Sequence, residues 1–241
     1  MKLLGGTARG ALSLAAGMAG ALVVASPGLA VPTPVTSAQS TTFAGYNFAG
    51  YIAVPGTVTA VAVVPRLNCK ATPAAGSSIY VGVGIESVNS QARLYLACTP
   101  KHAARYYPSL LVGGTSRNFV RDLAQPGDRV EFEVSQSVSI VTCSVIDLTR
   151  KFVVTANGGG GGTSEGILAG DFPGVPGATS PVPDFGTVAF SSALINGYPF
   201  GAAAPNLQTD NLQLSSPGPV QIKTVYSTSN KEIFSTVFKH S

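Results

Sequence analysis

The residues able to carry reactive chemistry are few: eleven Asp and Glu, three Cys and two His in 241 residues. A Ser-His-Asp arrangement has no footing. His102 is followed by Ala-Ala-Arg, His240 is the penultimate residue, and no G-x-S-x-G turn presents a serine. A zinc site is not expected, because there is no C-x-x-C and neither His has a ligand at metal-binding spacing. Cys69, Cys98 and Cys143 lack an evident His base, so a buried structural thiol is the reading for the odd cysteine. Glu131 and Glu133 are two apart, as paired glycosidase carboxylates on a strand would be. Both fall beside Arg129 on the polar side of an alternating run, which reads as a solvated face. Five glycines at 158–162 lack the following G-K-[ST] of a phosphate loop. They read as a mobile loop between strands, with a flap beside a site as the sharper alternative because Glu165 lies three residues beyond. No cofactor is implied.

The elements that must position these residues are strands. Residues 129–134 alternate cleanly, with Val130, Phe132 and Val134 on one face and Arg129, Glu131 and Glu133 on the other. Similar runs rich in β-branched and aromatic residues occupy 45–54, 58–64, 79–85, 92–97, 105–112, 137–147, 151–155, 185–191, 220–227 and 232–238, with a hairpin expected across 228–231. No window keeps helical periodicity with capping signals, and no fixed-period repeat stands out. Residues 171–183, rich in Pro and Gly, read as a second long loop. So many short strands argue for two packed antiparallel sheets.

Composition agrees. Charged residues are 11% and hydrophobic residues 45%, with 28 Gly and 17 Pro. That disfavours charge-driven disorder and coiled coils. Lys2 and Arg9 precede an uncharged Ala/Leu/Val/Gly run from 10 to 25, then Ser26-Pro27-Gly28-Leu29-Ala30, a secretory signal peptide with cleavage expected after Ala30. The apolar run is too short for a spanning helix. The expected mature chain is secreted and soluble, with a loose arm at 31–42 and one domain at 43–241. Removing Lys2 and Arg9 leaves 13 basic against 11 acidic residues. The positives are scattered along the sequence, so nucleic acid is not an expected partner.

A series of short motifs between about Gly50 and Ser192 resembles the glutamic peptidases (eqolisins) in order and spacing. Ser78-Ile79-Tyr80-Val81-Gly82-Val83-Gly84 resembles that family's W-V-G-I-x-G strand, and Ala92-Arg93-Leu94-Tyr95-Leu96-Ala97 sits where it has L-Q-T/A-G. Tyr106-Tyr107-Pro108 resembles W-Y-P, and Pro126-Gly127-Asp128 with the strand after it resembles G-D-x-I-x-V. Ile146-Asp147-Leu148-Thr149, Ser164-Glu165-Gly166-Ile167-Leu168 and Asp184-Phe185-Gly186-Thr187-Val188-Ala189-Phe190 resemble x-N-L-T, A-E-W-I-V and D-F-G-x-V-x-F.

The resemblance implies a two-sheet antiparallel β-sandwich, the concanavalin A-like or lectin-like jelly roll, and a site on its concave sheet. Glu165 matches the family's general base. Tyr95 stands at the position of the Gln that polarises the carbonyl and holds the oxyanion, while Gln91 lies four residues earlier with the same parity. Tyr80, Arg105 and Tyr106 are expected to bind substrate, with Tyr95 and Glu165 facing each other across the sheet. Arg105 replaces a family Glu, and Gly166 replaces a Trp. Cys69 and Cys98 sit at strand ends bordering the cleft strands, which favours that disulfide and leaves Cys143 free. Two functions stay open. One is a cleft that binds peptide or polysaccharide with little or no proteolysis. The other is an active acid endopeptidase with Tyr95 in place of the Gln. A monomer is expected.

Overall fold

The computed structural model describes residues 44–52, 56–71, 76–85, 89–121, 124–160, 164–172, 181–203, 207–213, 220–226 and 230–239. The expected signal peptide and the whole arm lie outside the described residues, as do residues 228 and 229 of the hairpin turn.

The strands in chain order are β1 (Ala44–Ile52), β2 (Gly56–Val63), β3 (Ser77–Ile85), β4 (Ser90–Cys98), β5 (Ala104–Val112), β6 (Thr115–Asn118), β7 (Arg129–Gln136) and β8 (Ile140–Asp147). They continue with β9 (Phe152–Gly159), β10 (Ser164–Phe172), β11 (Thr187–Ile195), β12 (Tyr198–Pro199), the one-turn helix α1 (Phe200–Ala203), β13 (Gln208–Asp210), β14 (Leu212–Gln213), β15 (Val220–Tyr226) and β16 (Phe234–Phe238). One sheet runs β13-β1-β10-β3-β4-β5-β6. The other runs β14-β15-β16-β11-β2-β7-β8-β9, with β12 paired to β11. Every pairing is antiparallel. The sheets stack face to face: β4 and β5 pack on β8, β3 on β2 and β7, and β1 on β15 and β16. This is the all-β sandwich expected from the alternating runs.

The core lies between the sheets because in most of the long strands about one residue in two is apolar and points inward. Val130, Phe132 and Val134 of β7 are buried, whereas Glu131 and Glu133 keep partial solvent access on the other face. Phe190 of β11 and Phe234 of β16 stack with centroids 4.5 Å apart. Phe200, on the short helix that periodicity did not reveal, is fully buried.

Two expected loops differ from the structure. The glycine run opens inside β9: Gly158 pairs with Val141 and Gly159 with Ile140. A Cβ on Gly158 would stand 2.4 Å from Val112 Cγ1, and one on Gly160 2.2 Å from Val141 Cγ2. Close packing under the sheet explains at least these two glycines. The segment 164–172 is the strand β10, inserted between β1 and β3. Asp171, read as the start of a loop, is therefore a core-facing strand residue.

Candidate functional site

The site rests on β3, β4 and β5. Ile79, Val81, Val83, Ala92, Leu94 and Leu96 are at most 2% exposed. Their alternation turns Tyr80, Gln91, Arg93 and Tyr95 to the outer face of the seven-stranded sheet. Tyr80 lies directly opposite Tyr95, and Tyr95 opposite Tyr107. Their rings touch in sequence, with centroids 5.1 Å apart at 55° and 4.7 Å apart at 31°. Cross-strand aromatic pairs of this kind stabilise both the register and one another. The row continues to Phe172 of β10, which pairs with Tyr80 and with Leu168 forms a small apolar cluster against it.

Arg93 holds the next row. Its guanidinium carbon stands 3.9 Å from the centre of the Tyr80 ring. Its Nε donates to Ser109 Oγ at 3.3 Å, one terminal nitrogen to Gln91 Oε1 at 2.9 Å, and the other to Ser116 Oγ at 3.1 Å. Only 7% of the residue is exposed. Burial lowers its pKa, while Tyr80 and then Cys143 oppose that shift. Gly82 lies opposite Arg93, and a Cβ there would fall 2.1 Å from the Ala92 carbonyl oxygen. Sequence reasoning did not single out Arg93. Its signal, a lone cation in an apolar strand run, needs the register to acquire partners on β5 and β6.

The remaining expected site residues divide between faces. Arg105 is exposed on the same side as Tyr95 and Tyr107. Tyr106 is not on that side. Strand alternation turns it inward, where it is 8% exposed and its hydroxyl accepts from the Leu67 backbone N–H at 2.9 Å. Burial raises its pKa. Tyr107 is pushed up to about 12 by burial first, then by Tyr95 and Tyr80, with Arg105 opposing. The phenols of Tyr106 and Tyr107 are therefore donors over any ordinary pH range.

Glu165 lies on β10 between Ser164, opposite Ile52, and Gly166, opposite Ala49. The β10 residue in line with Tyr80 and Tyr95 is Phe172. It is seven residues farther along, or about 23 Å at roughly 3.3 Å per residue. The register does not bring Glu165 and Tyr95 together. Gln91 is in line with Gly84 and Leu168, three residues from Glu165 along β10.

Cys69 and Cys98 are disulfide-bonded, with Cα atoms 5.3 Å apart, and tie the turn after β2 to the end of β4. Cys143 is free and buried, its thiol 3.4 Å from the Leu111 carbonyl oxygen. Burial raises its pKa to about 12. No cluster of three His, Cys, Asp or Glu suited to a metal occurs among the described residues. A cleft of ≈ 440 Å³ opens beside the tyrosine row, lined by Ser78, Tyr95, Ala97, Thr99, Arg105 and Tyr107. A second, of ≈ 510 Å³, lies beyond Arg105 and Tyr107, against Val120, Ala124 and Pro126.

Comparison with solved structures places this architecture. The fold is shared with the glutamic peptidases. The chain superimposes on scytalido-glutamic peptidase bound to a transition-state analogue inhibitor with a TM-score of 0.61 at 12% identity, covering 84% of this chain and 100% of that one. A second structure of that peptidase, with a peptide-based analogue, gives 0.61 at 13% over the same shares. SCP-B, an eqolisin in complex with the tripeptide Ala-Ile-His, gives 0.55 at 14%, again over 84% and 100%. No protein-family model matches the sequence, and no curated protein is similar to it. No helix among the described residues is long and apolar enough to cross a membrane.

Proposed function

We propose that this chain is a secreted binding protein built on the glutamic-peptidase fold, with the tyrosine face of its seven-stranded sheet taking a peptide and with little or no proteolysis. The observation that carries the reading is the register. Phe172, not Glu165, is the β10 residue in line with Tyr95. A general base and an oxyanion donor must act on the same carbonyl, within hydrogen-bond reach of it. About 23 Å of strand between the two positions argues against that role for the Glu165 and Tyr95 pair. General-base catalysis alone contributes roughly 10² to 10⁴, far short of a working peptidase.

A peptide is the favoured ligand because similar structures hold peptide-type molecules, one of them a tripeptide. The aromatic row and adjoining cleft supply flat apolar walls with polar edges for such a ligand. Secretion is part of the reading, supported by the Cys69–Cys98 bond, which persists in oxidising compartments, and by the charge and length pattern of residues 1–30.

The test is cleavage of an unfolded protein between about pH 2 and 5, where a Glu near its reference pKa serves as acid and base. Wild type and Glu165→Gln are compared. No cleavage by either is expected. Robust cleavage by the wild type that is lost in Glu165→Gln would establish the active endopeptidase instead.

A further inference from the structure

The basic residues look scattered in the sequence, but the fold gathers them. Residues 66–121 contain seven Lys and Arg and a single acidic residue, Glu86. Four of those cations, Arg66, Lys70, Lys101 and Arg105, lie at one end of the tyrosine sheet, and all four are exposed. The gathering has identifiable causes. The disulfide joins Cys69, the neighbour of Lys70, to Cys98 at the end of β4. The turn after Cys98 closes through the Thr99 N–H to the Ala103 carbonyl, 2.9 Å, and carries Lys101. His102 Nδ1 stands 2.8 Å from the Cys69 carbonyl oxygen, fixing that turn beside Lys70. Tyr106 accepts from the Leu67 N–H, which holds Arg66 near the start of β5, where Arg105 sits.

The described carboxylates nearest this end are occupied. Asp184 accepts from Asn68 Nδ2 at 3.1 Å and from the Gly186 N–H. Asp128 pairs with Arg150 at 3.1 Å and accepts from the Gln125 N–H. None of the four cations has a carboxylate partner among the described residues. Arg105 also separates the two clefts and lines both, so a ligand lying against Tyr95 and Tyr107 meets its guanidinium.

We propose that the Tyr95–Tyr107 cleft and the cationic end around Arg105 form a subsite for an acidic peptide, whose side-chain carboxylates lie against Arg105 and Lys101 while its backbone and apolar groups rest on the tyrosines. This rests on the binding reading given above. A like charge at the rim would be repelled, and an uncharged peptide would gain only the aromatic contact. The cations are exposed, so their attraction is long-range, modest per pair and screened by salt.

The experiment is fluorescence anisotropy on the full chain with three labelled probes of one sequence, in which alternate residues are Glu, Gln or Lys. The Glu probe is expected to bind about tenfold more tightly than the Gln probe, with the difference lost at about 1 M salt. Arg105→Glu should weaken the Glu probe by roughly five- to tenfold and the Gln probe by clearly less, with Lys101→Glu as a second variant should the first fail to fold. Equal affinity for the Glu and Gln probes would overturn the acidic subsite while leaving peptide binding intact. Failure of all three probes to bind would overturn both. Displacement of the Glu probe by an equal or lower carboxylate concentration of a polyuronate would overturn the peptide assignment in favour of an acidic glycan.

Discussion

Replacing Asp171 by Asn should change how stability depends on pH. Asp171 sits on β10 between Ala44 of β1 and Val81 of β3, both apolar, and is fully buried. Among the described residues neither carboxyl oxygen has a well-formed hydrogen bond, and the polar group facing it from the other sheet is the hydroxyl of Thr236 of β16, which approaches it without completing one. Burial raises its pKa from 3.8 to about 8, and Thr236 opposes that shift only partly. The folded state therefore prefers the protonated acid. Its contribution is fully present below the unfolded pKa of about 4, is lost as pH rises to about 8, and then levels off. At about 1.4 kcal/mol per pH unit, that interval amounts to roughly 5 kcal/mol. This is comparable with the whole stability of many domains. Tyr107 and Cys143, both pushed up to about 12, titrate above this window. The assay is thermal or urea unfolding at intervals from pH 4 to 8. Wild type should lose stability steadily on the way up, and Asp171→Asn, which is neutral throughout, should lose far less. At pH 8 the variant should be the more stable of the two. Parallel pH profiles, or a variant that is the weaker at pH 8, would refute the reasoning.

Two further outcomes follow from the same packing. Replacing Cys69 and Cys98 together by Ser opens a loop with a sequence separation of 29 and should cost about 3–4 kcal/mol, read as a lower midpoint in urea with a steeper slope, because the freed unfolded chain exposes more surface. Arg93→Met keeps the contact with Tyr80 but leaves Ser109, Gln91 and Ser116 without their shared donor. A loss of roughly 2–4 kcal/mol is expected, together with a change in tyrosine near-UV circular dichroism as the row loosens.

The sequence determined the class of fold because its signal is local. A strand with one buried face writes an alternation of period two, and 129–134 shows it as plainly in the sequence as in β7. It also marked most of the strands, since β-branched runs and turn residues act over a few positions. β6, Thr115–Asn118, escaped because a wholly exposed polar edge strand carries no alternation of apolar residues. β10 escaped because Gly166, Ala169 and Gly170 dilute its apolar pattern.

The site was legible only as residue types. Tyr80, Tyr95 and Arg105 could be named, but their neighbours depend on register, which is a relation between strands far apart in the chain. Register aligned Tyr95 with Phe172, seven positions from Glu165, and gave Arg93 its three partners. Strand alternation sent Tyr106 inward and Arg105 and Tyr107 outward, because the three are consecutive. The burial of Asp171 was likewise decided by β10 entering between β1 and β3 beneath β16. Local composition sets which segments become strands. Which side chains meet is set by how the strands slide against one another, and only the packed sandwich fixes that.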